Sequence, residues 1–249
     1  MFFKRKSRGA IGLSHLTTLL ACLGLLSVGS LYGMSHDSDG FSDAIAASIG
    51  SDSLSRYSVS SNGISTCAID DTGVVCWGVN ENTPSYNVYG QTDVPTLSNP
   101  TVVSPNHRHT CAIDDTGVVC WGSNDEGRTD VPALLGSPVA VSTGASHTCA
   151  LDDGGAVCWG SNYYGQLDIP NSLRAPYALS LGEGYSCALH RPSLNAAGAA
   201  CWGSNSHGQA DIPPLSNPYV ISSGWGSQAH ICALDDTGVV CWGSNSHGQ

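Results

Sequence analysis

The sequence predicts an all-β protein: a β-propeller of four-stranded blades, each with one cross-strand disulfide. Three observations predict it. The stretch Cys111-Ala112-Ile113-Asp114-Asp115-Thr116-Gly117-Val118-Val119-Cys120-Trp121-Gly122 has near-copies at 67–78, 149–160, 187–203 and 232–243. The tryptophans closing the five copies, Trp77, Trp121, Trp159, Trp202 and Trp242, are 44, 38, 43 and 40 residues apart, a spacing typical of propeller blades. Both faces of the repeated hairpin are apolar, so each copy must be stacked between neighbours of its own kind.

The chain starts differently. Residues 1–9 hold Lys4, Arg5, Lys6 and Arg8 and no acid, and from Ala10 to Met34 only His15 can carry charge. A basic start before an apolar run reads as an export signal or an N-terminal membrane anchor. The run, about 25 residues, is long enough to span a bilayer. Ala44-Ile45-Ala46 has the small-x-small form of a cleavage site but lies well beyond the run, so cleavage and anchoring both stay open. Leu19-Leu20-Ala21-Cys22 sits in mid-run and is discounted. Residues 1–34 are thus the expected leader or anchor, and the Ser/Asp-rich residues 35–55 a polar linker.

All 20 acids follow residue 34, against five arginines and no lysine, leaving −15 on the exported part. Such a surface repels nucleic acid and anionic lipid. No nucleic-acid partner is expected, and membrane contact only through the N-terminal segment.

Residues 56–249 are the repeats. One unit reads as strands at Pro138–Ser142, His147–Leu151, Ala156–Gly160 and Gln166–Pro170, separated by Gly, Asn, Asp and Pro. With Asp152-Asp153-Gly154-Gly155 as the turn, Leu151 opposes Ala156, Ala150 opposes Val157 and Cys149 opposes Cys158. Opposed residues bring their Cβ atoms within disulfide reach. The pairs expected are Cys67–Cys76, Cys111–Cys120, Cys149–Cys158, Cys187–Cys201 and Cys232–Cys241. The fourth spans five extra residues at its turn. Zinc is the competing reading, but its ligands come as close C-x2-4-C pairs, and here each pair is nine or more apart. Ten paired cysteines, with Cys22 in the leader, agree with an oxidising, exported destination. Alternation puts Cys149 and Leu151 on one face and Ala150, Val157 and Trp159 on the other. The Trp side of one blade is then expected to pack on the disulfide side of its neighbour.

The runs His147-Thr148-Cys149-Ala150-Leu151 and Val157-Cys158-Trp159-Gly160-Ser161-Asn162, then Gly165-Gln166, resemble the regulator of chromosome condensation repeat family. They are most like its cysteine-bearing form in bacterial exported proteins. The resemblance covers 56–249. It implies a β-propeller, usually seven-bladed; a nuclear member exchanges guanine nucleotide on a small GTPase, and one bacterial relative inhibits β-lactamase. Two departures stand out. The usual Leu-Gly after Gly-Gln is replaced by Asp-Val-Pro or Asp-Ile-Pro, and only five units are present. The segment Cys241–Gln249 copies Cys201–Gln209 and stops before the fourth strand. The last blade is therefore expected to be incomplete and the array a truncated part of a seven-bladed ring, with an open or five-bladed ring as the alternative.

Little in the repeat points to chemistry. Asp70-Asp71, Asp114-Asp115, Asp152-Asp153 and Asp235-Asp236 recur at one turn, where Asp before Gly is ordinary; a catalytic site is convergent and unrepeated. His109, His147 and His230 each precede a cysteine by two and read as hydrogen-bonding core residues. No G-x-S-x-G, P-loop or H-E-x-x-H motif occurs. No catalytic residue, metal site or cofactor is expected.

Function is expected where the units differ. Tyr86 and Tyr89 lie in an insertion at 79–89, Tyr163-Tyr164 replace polar residues of other units, and Trp225 lies in an enlarged loop. All fall in strand 1–2 or 3–4 loops, which emerge at one end of a four-strand blade. Aromatic loops suit a binding surface for a protein or glycan. A secreted enzyme inhibitor is one alternative. A propeller hydrolase or lyase using unrepeated residues such as His190 or Arg191, in the strand 2–3 insertion, is another.

Overall fold

The computed structural model describes residues 58–62, 65–78, 89–133, 136–193, 196–224, 226, 229–246 and 248, all within the unit Ile45–Gln249. The expected leader and linker, 1–34 and 35–55, lie outside them. Among the described residues no helix is long and apolar enough to cross a membrane.

These residues form five three-stranded antiparallel sheets, each a meander in chain order. Blade 1 is β1 Ser58–Asn62, β2 Ser65–Asp70 and β3 Gly73–Gly78. Blade 2 is β4 Val102–Pro105, β5 His109–Asp114 and β6 Gly117–Gly122. Blade 3 is β7 Ala140–Thr143, β8 His147–Asp152 and β9 Gly155–Gly160. Blade 4 is β10 Pro176–Leu181, β11 Tyr185–Ser193 and β12 Ala196–Gly203, and blade 5 is β13 Val220–Ser223, β14 His230–Asp235 and β15 Gly238–Gly243.

The all-β propeller class holds, but the expected fourth strand does not form. Residues 166–170 run as a turn and irregular chain. The reason lies in Asn162. Its Oδ1 accepts the Leu167 N–H at 2.9 Å and its Nδ2 donates to Asp168 Oδ1 at 2.9 Å. Asn124 and Asn205 do the same for Thr129 and Asp130 and for Ala210 and Asp211. A polar side chain thus offers the main chain an alternative to a ladder, and Pro170 has no N–H to lend one.

The central hairpins have the register derived from the turn. Cys149 pairs with Cys158, Ala150 with Val157 and Leu151 with Ala156. All five expected disulfides are present, each with Cα atoms 4.1 Å apart, as for directly opposed residues of the closer antiparallel pair type. In blade 4 the insertion lengthens the two strands. His190 pairs with Gly198 and Ser193 with Ala196, so Arg191 and Pro192 face Ala197 in a bulge, where a proline is tolerated.

The blades stack through four like seams. Cys67 and Ile69 of blade 1 pack with Ala112 and Trp121 of blade 2. Cys111 and Ile113 pack with Ala150 and Trp159. Cys158 and Ala156 pack with Ala188 and Trp202, and Cys187 and Leu189 with Ile231 and Trp242. The disulfide face of one blade carries the Trp face of the next, as alternation requires. A disulfide here both closes a hairpin and paves a seam. Replacing Cys149 and Cys158 together by serine is expected to cost about 2.5–3 kcal/mol from the ten-residue loop it closes. A denaturant titration reads this, and an unchanged midpoint would contradict it.

Candidate functional site at the loop end of the blades

In blades 2–5 the loops after the first and third strands meet at one end. Main-chain bonds join them: the N–H groups of Ser123, Ser161, Ser204 and Ser244 donate to the carbonyls of Arg108, Ser146, Gly184 and Ala229 at 2.8–2.9 Å.

The segment after the third strand of each of blades 1–4 is gripped by the following blade. The indole N–H groups of Trp121, Trp159, Trp202 and Trp242 donate to the carbonyls of Gln91, Arg128, Gln166 and Gln209 at 2.9–3.0 Å. The hydroxyls of Thr110, Thr148 and Ser186 donate to the first three of those carbonyls at 2.8–3.0 Å. Thr148 and Ser186 are held in turn from the preceding blade, by His109 Nε2 and His147 Nε2, both at 2.9 Å. Since each hydroxyl spends its proton on a carbonyl, the histidines donate through Nε2–H. The expectation that the repeated histidines are core hydrogen-bonding groups is met for His109 and His147; His230 is only half-buried. Burial lowers the pKa of both rings to about 3; for His109 the charges of Arg128 and His147 add to it. Both rings are therefore neutral near neutral pH. Gly144 makes room for one of them: a Cβ there would lie 2.3 Å from His147 Cε1.

The same loops display the variable side chains. The side-chain oxygens of Gln91, Gln166 and Gln209 accept the N–H of the residue two before, respectively Tyr89, Tyr164 and His207, at 3.3, 2.8 and 2.8 Å. Tyr89 and Tyr164 thus occupy equivalent posts, each set by a buried glutamine. The unit between them has Arg128 instead, buried, its Nε and Nη1 donating to the carbonyls of Asp125 and Ala145. Sequence reasoning passed over this position, although the recurring Gly-Gln pair was its signal.

Each tyrosine leans on the next blade. Arg108 lies 5.4 Å over the Tyr89 ring. Tyr164 covers Gly184, where an added Cβ would fall 2.6 Å from its Cδ2. Tyr163 stands edge-on to Tyr164 with ring centres 4.8 Å apart. The two are 84% and 55% exposed, so this aromatic step projects into solvent. Tyr86 and Trp225, the other two aromatics expected here, lie outside the described residues.

The remaining sequence candidates are occupied by the scaffold. Asp114 Oδ1 accepts the Thr116 N–H and hydroxyl, and its Oδ2 the Ser98 N–H; Asp115 takes the Ser98 hydroxyl and Asn99 Nδ2. Asp235 and Asp236 do likewise with Thr237, Ser216 and Asn217. Burial raises the Asp114 pKa, but those donors outweigh it and hold the carboxyl below its ordinary range. A groove of about 510 Å³ beside this turn is lined by Asp114, Asp115, Val131 and Pro138 among others, at the end of the blade opposite the tyrosines. There too, buried His190 faces the Arg174 N–H with Nδ1 at 3.4 Å, and Arg191 stacks over Tyr177 at 5.2 Å. The structure brings none of these together as a nucleophile and base.

Two segments, residues 139–166 and 221–249, match the model of the regulator of chromosome condensation (RCC1) repeat. Blades 3 and 5 thus carry sequence similar to the regulator of chromosome condensation repeat. The fold is shared with solved structures. One is the entire ectodomain of the receptor kinase CR4 from Physcomitrella patens, at 19% identity and TM-score 0.58 over 74% of this chain and 50% of that one. The ACR4 receptor-kinase ectodomain of Arabidopsis thaliana matches at 24% and 0.52, over 74% and 62%. Prp20p of Saccharomyces cerevisiae, described with its binding to Gsp1p and histones, matches at 17% and 0.59, over 75% and 57%. The chain thus spans about half to three-fifths of the length of these proteins. No curated protein matches the sequence.

Proposed function

We propose that the chain is a non-catalytic, exported propeller scaffold that binds a protein or glycan partner through the aromatic loops at one end of its blades. The observation that carries this is the Tyr163–Tyr164 step, exposed on a loop whose base is locked by Gln166 and Trp202. Rigid, solvent-facing tyrosines supply large contact area at small entropic cost. The five disulfides support a destination where thiols are oxidised. Protein binding by a propeller of this repeat has a precedent in Prp20p.

The test screens the full chain against secreted proteins and glycans, then repeats each hit with Y163A/Y164A and with R191A at the other end. Loss of at least about tenfold in affinity is expected for the tyrosine pair, and no change for R191A. Binding that survives the tyrosine change and disappears with R191A would overturn the reading.

A further inference from the structure

Tyr89 and Tyr164 hold equivalent posts, and they differ in what the next blade brings to them. At Tyr89 the chain supplies a cation of its own: the Arg108 guanidinium lies 5.4 Å over the ring. Arg108 and Gly184 occupy the same position in their blades, since their carbonyls accept the N–H groups of the equivalent Ser123 and Ser204. Where blade 2 brings a guanidinium to its tyrosine, blade 4 therefore brings a residue with no side chain. Tyr164 lies against Gly184, and the Tyr163–Tyr164 pair stays open to solvent. Next in the chain to Gly184 is Glu183, also exposed. Among the described residues no cation pairs with its carboxylate.

We infer that the tyrosine pair and Glu183 together take an arginine side chain from a basic segment of a protein partner. This deepens, and rests on, the reading of these loops as the partner-binding end. The chemistry is the one the molecule already uses at Tyr89, with the cation coming from outside. A guanidinium is drawn to an aromatic face by the ring quadrupole and is weakly enough hydrated to stack there. Glu183 adds a carboxylate from the adjoining loop, which a guanidinium pairs with through two N–H groups. The rings stand at 82° to each other with centres 4.8 Å apart, so they form a corner that suits a narrow side chain better than a sugar ring. The wider field agrees: five arginines and no lysine against 20 acids after residue 34 leave −15, and such a surface steers a basic segment towards the chain. A neutral glycan would use the rings and leave the carboxylate without a charged partner.

The probe is a fluorescent peptide of alternating arginine and glycine, with a citrulline version that keeps the planar side chain and removes its charge. The full chain is titrated with each at physiological ionic strength, in a mild nonionic detergent that shields residues 10–34. The arginine peptide is expected to bind, and the citrulline peptide to bind at least about tenfold more weakly. Y163A/Y164A is expected to lower the affinity about tenfold and E183Q about two- to fivefold. D153N removes an equal charge at the opposite end of the blade and is expected to change nothing. No binding of the arginine peptide overturns the inference, as does equal binding of the citrulline peptide. Equal losses from E183Q and D153N also overturn it, since they mark diffuse attraction to an acidic surface. The reading beneath it fails separately. A partner from the screen that is lost with Y163A/Y164A and unmoved by E183Q keeps the loop end as the site and overturns the arginine; a partner insensitive to both overturns the loop end itself.

Discussion

W159A is expected to destabilise the protein by about 3–5 kcal/mol, the cost of emptying a buried tryptophan site. Trp159 fills the seam between blades 2 and 3, against Cys111 and Ile113, and its indole N–H is bonded to the Arg128 carbonyl. Alanine leaves both a void and a weaker hold on the loop that Arg128 anchors. The same change at Trp77, in the same motif, is expected to cost less than about 1 kcal/mol, because that side chain lies on the open face of the stack. Denaturant titration of the two variants separates position in the stack from identity in the repeat. Equal losses would contradict the stacking of Trp face on disulfide face.

Acid is the second large effect. His109 and His147 are held neutral in the fold, with pKa lowered from 6.5 to about 3 by burial. In the unfolded chain they protonate near 6.5, so below that pH the unfolded state binds more protons. Their contribution is whole above about pH 6.5 and is lost as pH falls towards 3, on the order of several kcal/mol for each ring at the acid limit. The loss begins well above the range where Asp114 and its like titrate. H147Q keeps a donor for Ser186 and removes the titrating ring. It is expected to be less stable at neutral pH and to lose less on going to pH 4. Parallel pH slopes for the two proteins, or a His147 ring that titrates near 6 in the folded state, would refute the assignment.

Much of this was legible in the chain because cysteines mark register. A pair nine apart around a two-residue turn admits one pairing, and alternation from it assigns every side chain of the hairpin to a face. Both apolar faces then demanded stacking. The fourth strand was misread because Leu167, Asp168 and Ile169 have strand-like spacing, while the deciding group, the Asn162 amide, acts on the main chain five and six residues away. The blade 4 insertion kept its cysteines opposed, but its growth into longer strands with a bulge was not visible in composition. At the candidate site, Tyr163 and Tyr164 stood out by differing from their counterparts. The kinship of Tyr89 with Tyr164 did not, since it depends on the buried Gln91 and Gln166 side chains that hold both loops alike.

The repeated hairpin as a framework, with function left to the loops, rests on each bridge staying within its own blade. Digestion without reduction tests this: an aspartate-directed protease cuts between four of the cysteine pairs and chymotrypsin between Cys187 and Cys201, and mass spectrometry identifies the linked peptides. Five links are predicted, 67–76, 111–120, 149–158, 187–201 and 232–241. A single link between blades, such as Cys111 to Cys149, would contradict the register and the stack built on it.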